Sequence, residues 1–371
     1  MTADFAALVA ETARRLEPVV PITARPTSLF RGHPGVAMLF GELGRADERW
    51  LPVAHRHLAA AVAAVAALDD APAAGLYEGP AAVLAAAQTC AAGSGRYRGL
   101  RARLTAYAEA AQAHRLAHPG GSGYDVVNGL TGLGRVLLDA GADVGPTLDV
   151  LVRPAVTETR PGADAGMAHG VAGILAFLAL AAEHERVVPG QQDAMHHIAG
   201  WLRDVAGEDA AGPYFPAWAG ERPVPAKSAW CYGAPGVAVA LHRAGTVLGE
   251  PAWQRLAVES LRAVTRRPEA EWHLDGPTVC HGYAGLLRAL HRVGTATGDP
   301  ELLAAAGRVA RRVAAGADET AEFLFRHHES GAPVDVAGLV EGAAGVACAL
   351  LPFAGYDGRG PSSWDRVLLF S

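Results

Sequence analysis

Apolar residues along this chain gather into seven runs that are rich in alanine. Each run begins with a glycine and has a second small residue three positions later. Each is long enough for several helical turns. Runs that are apolar on every side predict helices that are buried on every side. The seven opening glycines are Gly32, Gly79, Gly129, Gly170, Gly233, Gly282 and Gly342.

A second set of segments alternates with the first and carries Arg, Glu and Gln on one face. This one-sided polarity predicts outer helices that cover the apolar inner ones. Asp299 followed by Pro300 supplies the last segment with an N-cap and a proline at its first helical position. The segments span residues 5–16, 50–68, 97–114, 146–156, 191–205, 253–266 and 300–314.

Seven inner and seven outer helices predict an all-α fold, an α/α barrel or toroid of seven helical hairpin repeats. No run alternates with a period of two for long enough to predict a sheet. We expect the ring to be closed, because an open solenoid of seven repeats usually needs distinct polar caps. The glycines would let neighbouring helices approach closely, and residues 1–371 would form a single domain.

The residue before each opening glycine is polar, although an apolar helix follows it. Buried polar groups without partners are costly, so we expect the seven helix N-termini to converge on one wet cavity. Their free N–H groups would favour anions there. Ordinary capping is an equally good explanation for Asn128 and Glu341, and a plain surface role is favoured for Arg31 and Glu78. The set is Arg31, Glu78, Asn128, His169, Tyr232, His281 and Glu341.

Composition narrows the class of protein. The net charge of -6 and the absence of a dense basic run argue against a nucleic-acid partner. The longest uncharged apolar runs, such as residues 171–182, fall short of the roughly twenty residues that cross a bilayer, so we expect no membrane span. The N-terminus lacks the features of a signal peptide. The four cysteines do not form a disulfide framework, so we expect a cytoplasmic protein.

Two cysteines occupy the same position in consecutive repeats. Cys231 and Cys280 each stand two residues before an opening glycine, and His281 follows the second. Two thiolates and one imidazole suit Zn²⁺, and three protein ligands leave the fourth tetrahedral position open, as in catalytic sites. The alternative is two buried cysteines beside a capping histidine. Repeat position and ligand type favour zinc, whereas Cys90 and Cys348 are predicted to be small core residues.

Several motifs carry a resemblance to a known family. They are Ser228-Ala-Trp-Cys-Tyr-Gly233, Cys280-His-Gly282, Ala168-His-Gly170 and the late pair Trp364-Asp365. With the seven repeats, they make the whole chain resemble the lanthionine synthetase C family, the zinc cyclases of lanthipeptide biosynthesis. The resemblance implies an α/α toroid and a zinc ion held by Cys231, Cys280 and His281.

The resemblance also implies a reaction and its partners. The reaction is the addition of peptide cysteine thiols to dehydroalanine or dehydrobutyrine, which closes thioether rings. No kinase, lyase or dehydratase segment is attached, so the chain resembles the stand-alone cyclase of a class I system. The expected partners are a dehydrated precursor peptide, with leader and core, and a dehydratase acting in trans.

Four further residues are candidates for the chemistry. His169 is the expected general acid/base, because imidazole exchanges protons near pH 7. Asp125 matches the acidic residue of the family and would orient His169. Lys227 stands where the family usually has an arginine, and it keeps the charge but not the planar fork. Arg222 and Arg31 are possible substitutes. Tyr232 is a cavity hydrogen-bonding group or a packing element.

Three other functions stay open. A relative with the same fold and metal could join a small thiol such as glutathione to dehydroamino acids. A non-catalytic scaffold could hold a dehydratase and its peptide together. A glycosidase or lyase using Asp125 and Glu341 is the most distant, because it leaves the cysteines unexplained. The pairs His196-His197 and His327-His328, in an outer helix and near a loop, lack further ligands.

Overall fold

A computed structural model describes residues 4–20, 22, 25–67, 75–118, 123–153, 162–220, 225–356 and 362–371. Within these residues the chain forms fourteen α-helices, four short strands and several 3₁₀ turns. The helices are α1 Phe5–Leu16, α2 His33–Ala46, α3 Leu51–Ala66, α4 Gly79–Ala91, α5 Arg98–Ala117, α6 Leu130–Ala140, α7 Gly145–Leu151, α8 Val171–Glu183, α9 Gln191–Val205, α10 Ala234–Leu248, α11 Pro251–Arg266, α12 Tyr283–Thr297, α13 Pro300–Ala314 and α14 Ala343–Leu350.

The even-numbered helices form the inner ring. An opening glycine is the N-cap of each of them, except in α4, where Gly79 is the first helical residue. Every residue of α8 from Val171 to Ala181 is buried, as expected for a helix that is apolar on all sides. Each inner helix contacts the next one, and α14 contacts α2. The predicted closed ring of seven inner helices is therefore confirmed.

The odd-numbered helices pack on the outside of this ring. Each of α3, α5, α7, α9 and α11 contacts two consecutive inner helices, and α1 contacts both α14 and α2. Their apolar faces are buried and their charged faces are exposed, for example in α11 and α13. The fold is thus an α/α toroid. The end of the predicted segment 146–156 lies outside the described residues.

The loops that lead into the inner helices are joined by backbone hydrogen bonds. In most repeats the loop donates an N–H group to a carbonyl of the next loop, so the loops form a rim around one end of the ring. Examples are Val126 to Ala168 at 3.1 Å, Met167 to Cys231 at 2.9 Å, Cys231 to Cys280 at 3.4 Å, Cys280 to Val340 at 2.9 Å and Val340 to Leu29 at 3.2 Å.

The second glycine, present in six of the seven opening turns, explains this close packing. A Cβ atom at Gly236 would collide with the carbonyl oxygen of Trp230, six residues earlier in the same loop, and with Met167 of the preceding repeat. The same double approach is found at Gly285, between Val279 and Trp230. The sequence predicted that these glycines allow close approach between neighbouring helices. In the structure they also allow close approach between each helix and the loop that precedes it.

Two β-hairpins were not predicted. Strands β1 Gly207–Asp209 and β2 Gly212–Tyr214 pair antiparallel, as do β3 Arg326–Glu329 and β4 Ala332–Asp335. Strands of three or four residues are too short to show a period of two in the sequence. One consequence is that His327 and His328 lie within β3, and not merely near a loop.

The C-terminal residues 362–371 extend into the ring and support the rim from below. Trp364, Leu368 and Leu369 are completely buried. The indole N–H of Trp230 donates to the carbonyl of Leu368 at 3.0 Å, and the Tyr77 hydroxyl donates to the carbonyl of Val367. The loop that carries Cys231 therefore rests on the end of the chain.

Asp365 anchors this C-terminal segment. Its buried carboxylate accepts hydrogen bonds from Arg288 at 2.6 Å and from Arg292 at 2.7 Å. Burial would raise the pKa of Asp365, but the charges of the two arginines hold it well below its usual range.

We expect Asp365→Asn to destabilise the protein by about 3–5 kcal/mol, because the buried guanidinium of Arg288 and the partly buried one of Arg292 lose their counter-charge. Urea unfolding measures this loss. The exposed pair Arg203–Asp204 provides the control: Asp204→Asn should cost less than about 1 kcal/mol. Because the folded-state pKa of Asp365 is depressed, its contribution is complete above about pH 4 and declines as the pH falls. Equal stability of both variants would contradict the anchoring role.

Candidate metal centre

Seven polar side chains surround the mouth of the ring, as predicted. Each residue that precedes an opening glycine retains solvent exposure, whereas the glycine itself is buried in every repeat. The residue that precedes the polar one is also buried in six of the seven repeats. One polar side chain per repeat is therefore exposed at the N-terminal ends of the inner helices, and we call this end of the ring the basin.

Three of the predicted side chains converge at one side of this basin. The ligand atoms of Cys231, Cys280 and His281 all lie within 4.8 Å of one another. Both cysteines are almost completely buried, and His281 is half-buried. The two loops that carry them are held together by the hydrogen bond from the Cys231 N–H to the Cys280 carbonyl.

The three groups strongly affect one another's protonation. The pKa of Cys231 is lowered to about 5, because the Cys280 thiol and the His281 imidazole donate hydrogen bonds to its thiolate. The pKa of Cys280 is raised above its usual value by its hydrogen bond to that thiolate, by burial and by the thiolate charge. Ionisation of Cys231 thus opposes ionisation of Cys280.

This donor set fits a zinc ion. Thiolate sulfur and imidazole nitrogen are its preferred ligands, at about 2.0–2.3 Å, and a divalent cation would let both cysteines ionise. Within the described part of the chain, no other group of three such side chains converges in this way. A zinc ion held by these three side chains would have its fourth tetrahedral position open to a non-protein ligand.

His169 and Asp125 form a second pair in the basin. The His169 Nδ1 donates to Asp125 Oδ2 at 2.7 Å, while the backbone N–H of Asn128 donates to Oδ1 at 2.6 Å. Asp125 is 4% exposed and fixed, whereas the His169 imidazole faces solvent. The hydrogen bond to Asp125 raises the pKa of His169, despite partial burial.

We expect Asp125→Asn to lower the pKa of His169, because the amide keeps an acceptor oxygen but loses the carboxylate charge. The imidazole titration, followed by NMR, measures this change. Asp164→Asn is the matched control, since the Asp164 charge raises the same pKa less than the hydrogen bond to Asp125 does. A titration midpoint that moves more in the control would contradict the assignment of Asp125 as the orienting group.

Tyr232 is held by a residue that the sequence did not single out. Its hydroxyl donates to Asp164 Oδ2 at 3.0 Å, and the Gly166 N–H donates to Oδ1 at 2.7 Å. Burial and the Asp164 charge raise the pKa of Tyr232, so the phenol stays protonated near neutral pH. Asp164 lies six residues before Gly170, and the only signal for it was an acid in the loop before an inner helix.

Lys227 lies close to the cluster but already has a partner. Its ammonium group donates to the carboxylate of Asp275, and the backbone N–H of Asp275 donates to the carbonyl of His281 at 2.9 Å. Both side chains are partly exposed. The hydrogen bond to Cys231 raises the pKa of His281, and the Lys227 charge opposes this rise. This pair places a cation beside the predicted metal ligands.

The proposed substitutes for Lys227 differ in their position. Arg31 is engaged with Glu341 at 2.5 Å and Glu329 at 3.1 Å. Arg222 lies outside the described residues. Of the two cations that the structure describes, Lys227 is the one whose charge acts on two of the predicted ligands, Cys280 and His281.

The remaining sequence candidates lie elsewhere. Cys90 and Cys348 are completely buried in α4 and α14, as predicted for small core residues. His196 packs against Trp253 between two outer helices. His327 lies beside the metal centre, with its ring 5.4 Å from that of His281, and shares a hydrogen bond with Thr278 at 3.2 Å.

The fold and this site together define a toroidal α/α protein with a Cys–Cys–His centre at the mouth of its ring. The model of the family described as "Lanthionine synthetase C-like protein" matches residues 23–369. The chain belongs to this family. No helix in the described residues is long and apolar enough to cross a membrane.

A solved structure has the same fold. The chain is similar to a structure titled "Nisin cyclase", with a TM-score of 0.75 and 18% identity over 99% of this chain and 96% of the other. An inactive alpha-1,6-mannanase variant of Salegentibacter sp. HEL1_6 is 11% identical over the full length of both chains, with a TM-score of 0.43, which is too low to carry an argument. No curated protein matches the chain.

Proposed function

We propose that this protein is a zinc-dependent lanthipeptide cyclase. It would add cysteine thiols of a peptide to dehydroalanine or dehydrobutyrine residues of the same peptide. The observation that carries the proposal is the convergence of Cys231, Cys280 and His281 within 4.8 Å in a basin that also contains the His169–Asp125 pair. Family membership supports it.

The reaction conserves all atoms. The thiol loses its proton, its sulfur forms a bond to Cβ, and the π electrons of the double bond move toward Cα and the carbonyl oxygen. Cα then takes up a proton, so the product has the same mass as the substrate. When bound, zinc supplies a position at which a thiol ionises near neutral pH.

His169 is the proposed source of the proton for Cα. Its raised pKa increases the fraction of the cationic imidazole, which is the form that donates the proton, relative to an ordinary histidine. Asp125 fixes the imidazole through Nδ1, so that Nε2 is left to face the basin. Because Asp125 is buried and held by Asn128, the pair needs little reorganisation.

Lys227 and Tyr232 are proposed to stabilise the enolate oxygen. Lys227 brings a positive charge, whose electrostatic effect is partly offset by the carboxylate of Asp275. Its ammonium group also lacks the planar pair of donors that an arginine has. Tyr232 has a neutral hydroxyl beside Cys231, oriented by Asp164. Each would contribute less than the metal ligands or His169.

The setting of the reaction is part of the same proposal. The substrate would be a precursor peptide with leader and core, already dehydrated by a separate enzyme acting in trans. We place the protein in the cytoplasm, where its four free cysteines stay reduced. Residues 1–371 would act as one domain, since the inner ring uses helices from both ends of the chain.

A product assay tests this function against its alternatives. Zinc-loaded protein is incubated with a dehydrated peptide that contains cysteine, in the presence of glutathione, and products are alkylated and weighed by mass spectrometry. A cyclase removes alkylatable thiols without changing the peptide mass. Addition of the mass of glutathione would identify a thiol transferase instead. Unchanged peptide would leave the scaffold function.

A further inference from the structure

Trp218 is the largest apolar side chain that the described surface leaves open. It is 59% exposed, although its neighbours Phe215, Pro216 and Ala219 are buried. Single exposed apolar residues are common on proteins and need no special explanation. Trp218 differs from that ordinary case in its rigidity and in its position.

The backbone around Trp218 is fixed. It forms a bridge with Asp164, and three hydrogen bonds flank that bridge: Gly162 to Ala219 at 2.7 Å, Ala165 to Ala217 at 2.9 Å, and Ala219 to Ala163 at 2.9 Å. The fixed backbone therefore keeps this indole exposed to solvent. Such a preorganised aromatic group loses little entropy when a ligand covers it.

The position of Trp218 connects it to the reaction site. Its ring lies 5.5 Å from that of Tyr232, and Tyr232 directly follows the metal ligand Cys231. Asp164 accepts the Tyr232 hydroxyl and pairs through its backbone with Trp218. When the cysteine of a peptide lies at the metal centre and the peptide chain extends past Tyr232, the adjacent part of that chain contacts the exposed indole.

We propose that Trp218 is a substrate-binding residue that packs against an apolar side chain next to the ring-forming cysteine of the peptide. This inference rests on the proposed function. Trp218 does not touch the reacting atoms, so it contributes to binding and specificity and not to the chemical step. The preferred substrate class is a dehydrated peptide with an apolar residue beside its cysteine.

Steady-state cyclisation by Trp218→Ala tests this role. With a peptide carrying leucine beside the cysteine, KM should rise about tenfold while kcat stays within about twofold. With glycine in place of that leucine, wild type and variant should have similar KM values. Tyr107→Ala, at a 56% exposed aromatic residue on the outer helix α5, is the matched control and should leave KM unchanged.

Fluorescence gives a second readout that needs no turnover. The emission difference between wild type and Trp218→Phe isolates the exposed indole. The ligand is the dehydrated peptide with leucine, in which serine replaces the cysteine so that no ring can form. Its binding should protect this signal from acrylamide quenching. Unchanged quenching with bound peptide, or an unchanged KM for Trp218→Ala, overturns the inference. If the serine peptide protects the indole but the wild-type protein does not cyclise the corresponding cysteine peptide, the binding role of Trp218 stands and the proposed function is overturned.

Discussion

Replacing Cys280 with alanine is expected to abolish both metal binding and cyclisation. Removing one of three protein ligands leaves two, and the surviving thiolate and imidazole cannot hold zinc against dilution. We expect zinc to fall from near one per chain to near zero, and the cyclisation rate to fall at least about a thousandfold. Elemental analysis and the product assay measure the two effects.

The matched control is Cys348→Ala. Cys348 is as buried as Cys280 but lies within the inner helix α14, away from the basin. This control should lose some stability, keep its zinc and keep its rate. Circular dichroism verifies that both variants fold. A folded Cys280→Ala protein that retains zinc and closes rings at the normal rate would contradict the metal assignment.

Replacing His169 with asparagine is expected to reduce kcat by about 10²–10⁴ without loss of zinc. This is the usual contribution of a positioned general acid or base. Asparagine can still donate to Asp125, so the loop before α8 should keep its shape. The comparison of kcat with zinc content separates proton transfer from metal binding.

His196→Asn is the control for this variant. His196 packs on Trp253 between outer helices, and its loss should not change kcat. If His169→Asn cyclises at the wild-type rate, the proton must come from elsewhere, and Tyr232 becomes the next candidate. If it loses zinc as well, His169 has a structural role and the account of proton transfer is wrong.

The repeat pattern made most of the architecture predictable. Seven glycine-opened apolar runs identified the inner helices, because burial on all sides leaves a signal at every position. Ring closure followed from the number of repeats and is seen where α14 contacts α2. Two hairpins were missed because strands of three or four residues are shorter than the period-two signal requires.

The site was predictable where it follows the repeat and not where it depends on tertiary contacts. Cys231 and Cys280 stand at the same place in two repeats, His281 follows the second, and the ligand atoms of the three lie within 4.8 Å of one another. Asp164, which holds Tyr232, and Asp275, which pairs with Lys227, carry no such signal. Their partners lie 68 and 48 residues away, and a lone acid in a loop fits many roles.

The number of sulfur atoms bound to zinc tests the central claim most directly. X-ray absorption at the zinc edge should count two sulfurs in the protein alone, from Cys231 and Cys280. A peptide that keeps its cysteine but has alanine in place of each dehydro residue cannot react. When it is added, the account predicts a third sulfur. A count that stays at two, with the peptide bound and its thiol still alkylatable, would contradict the account.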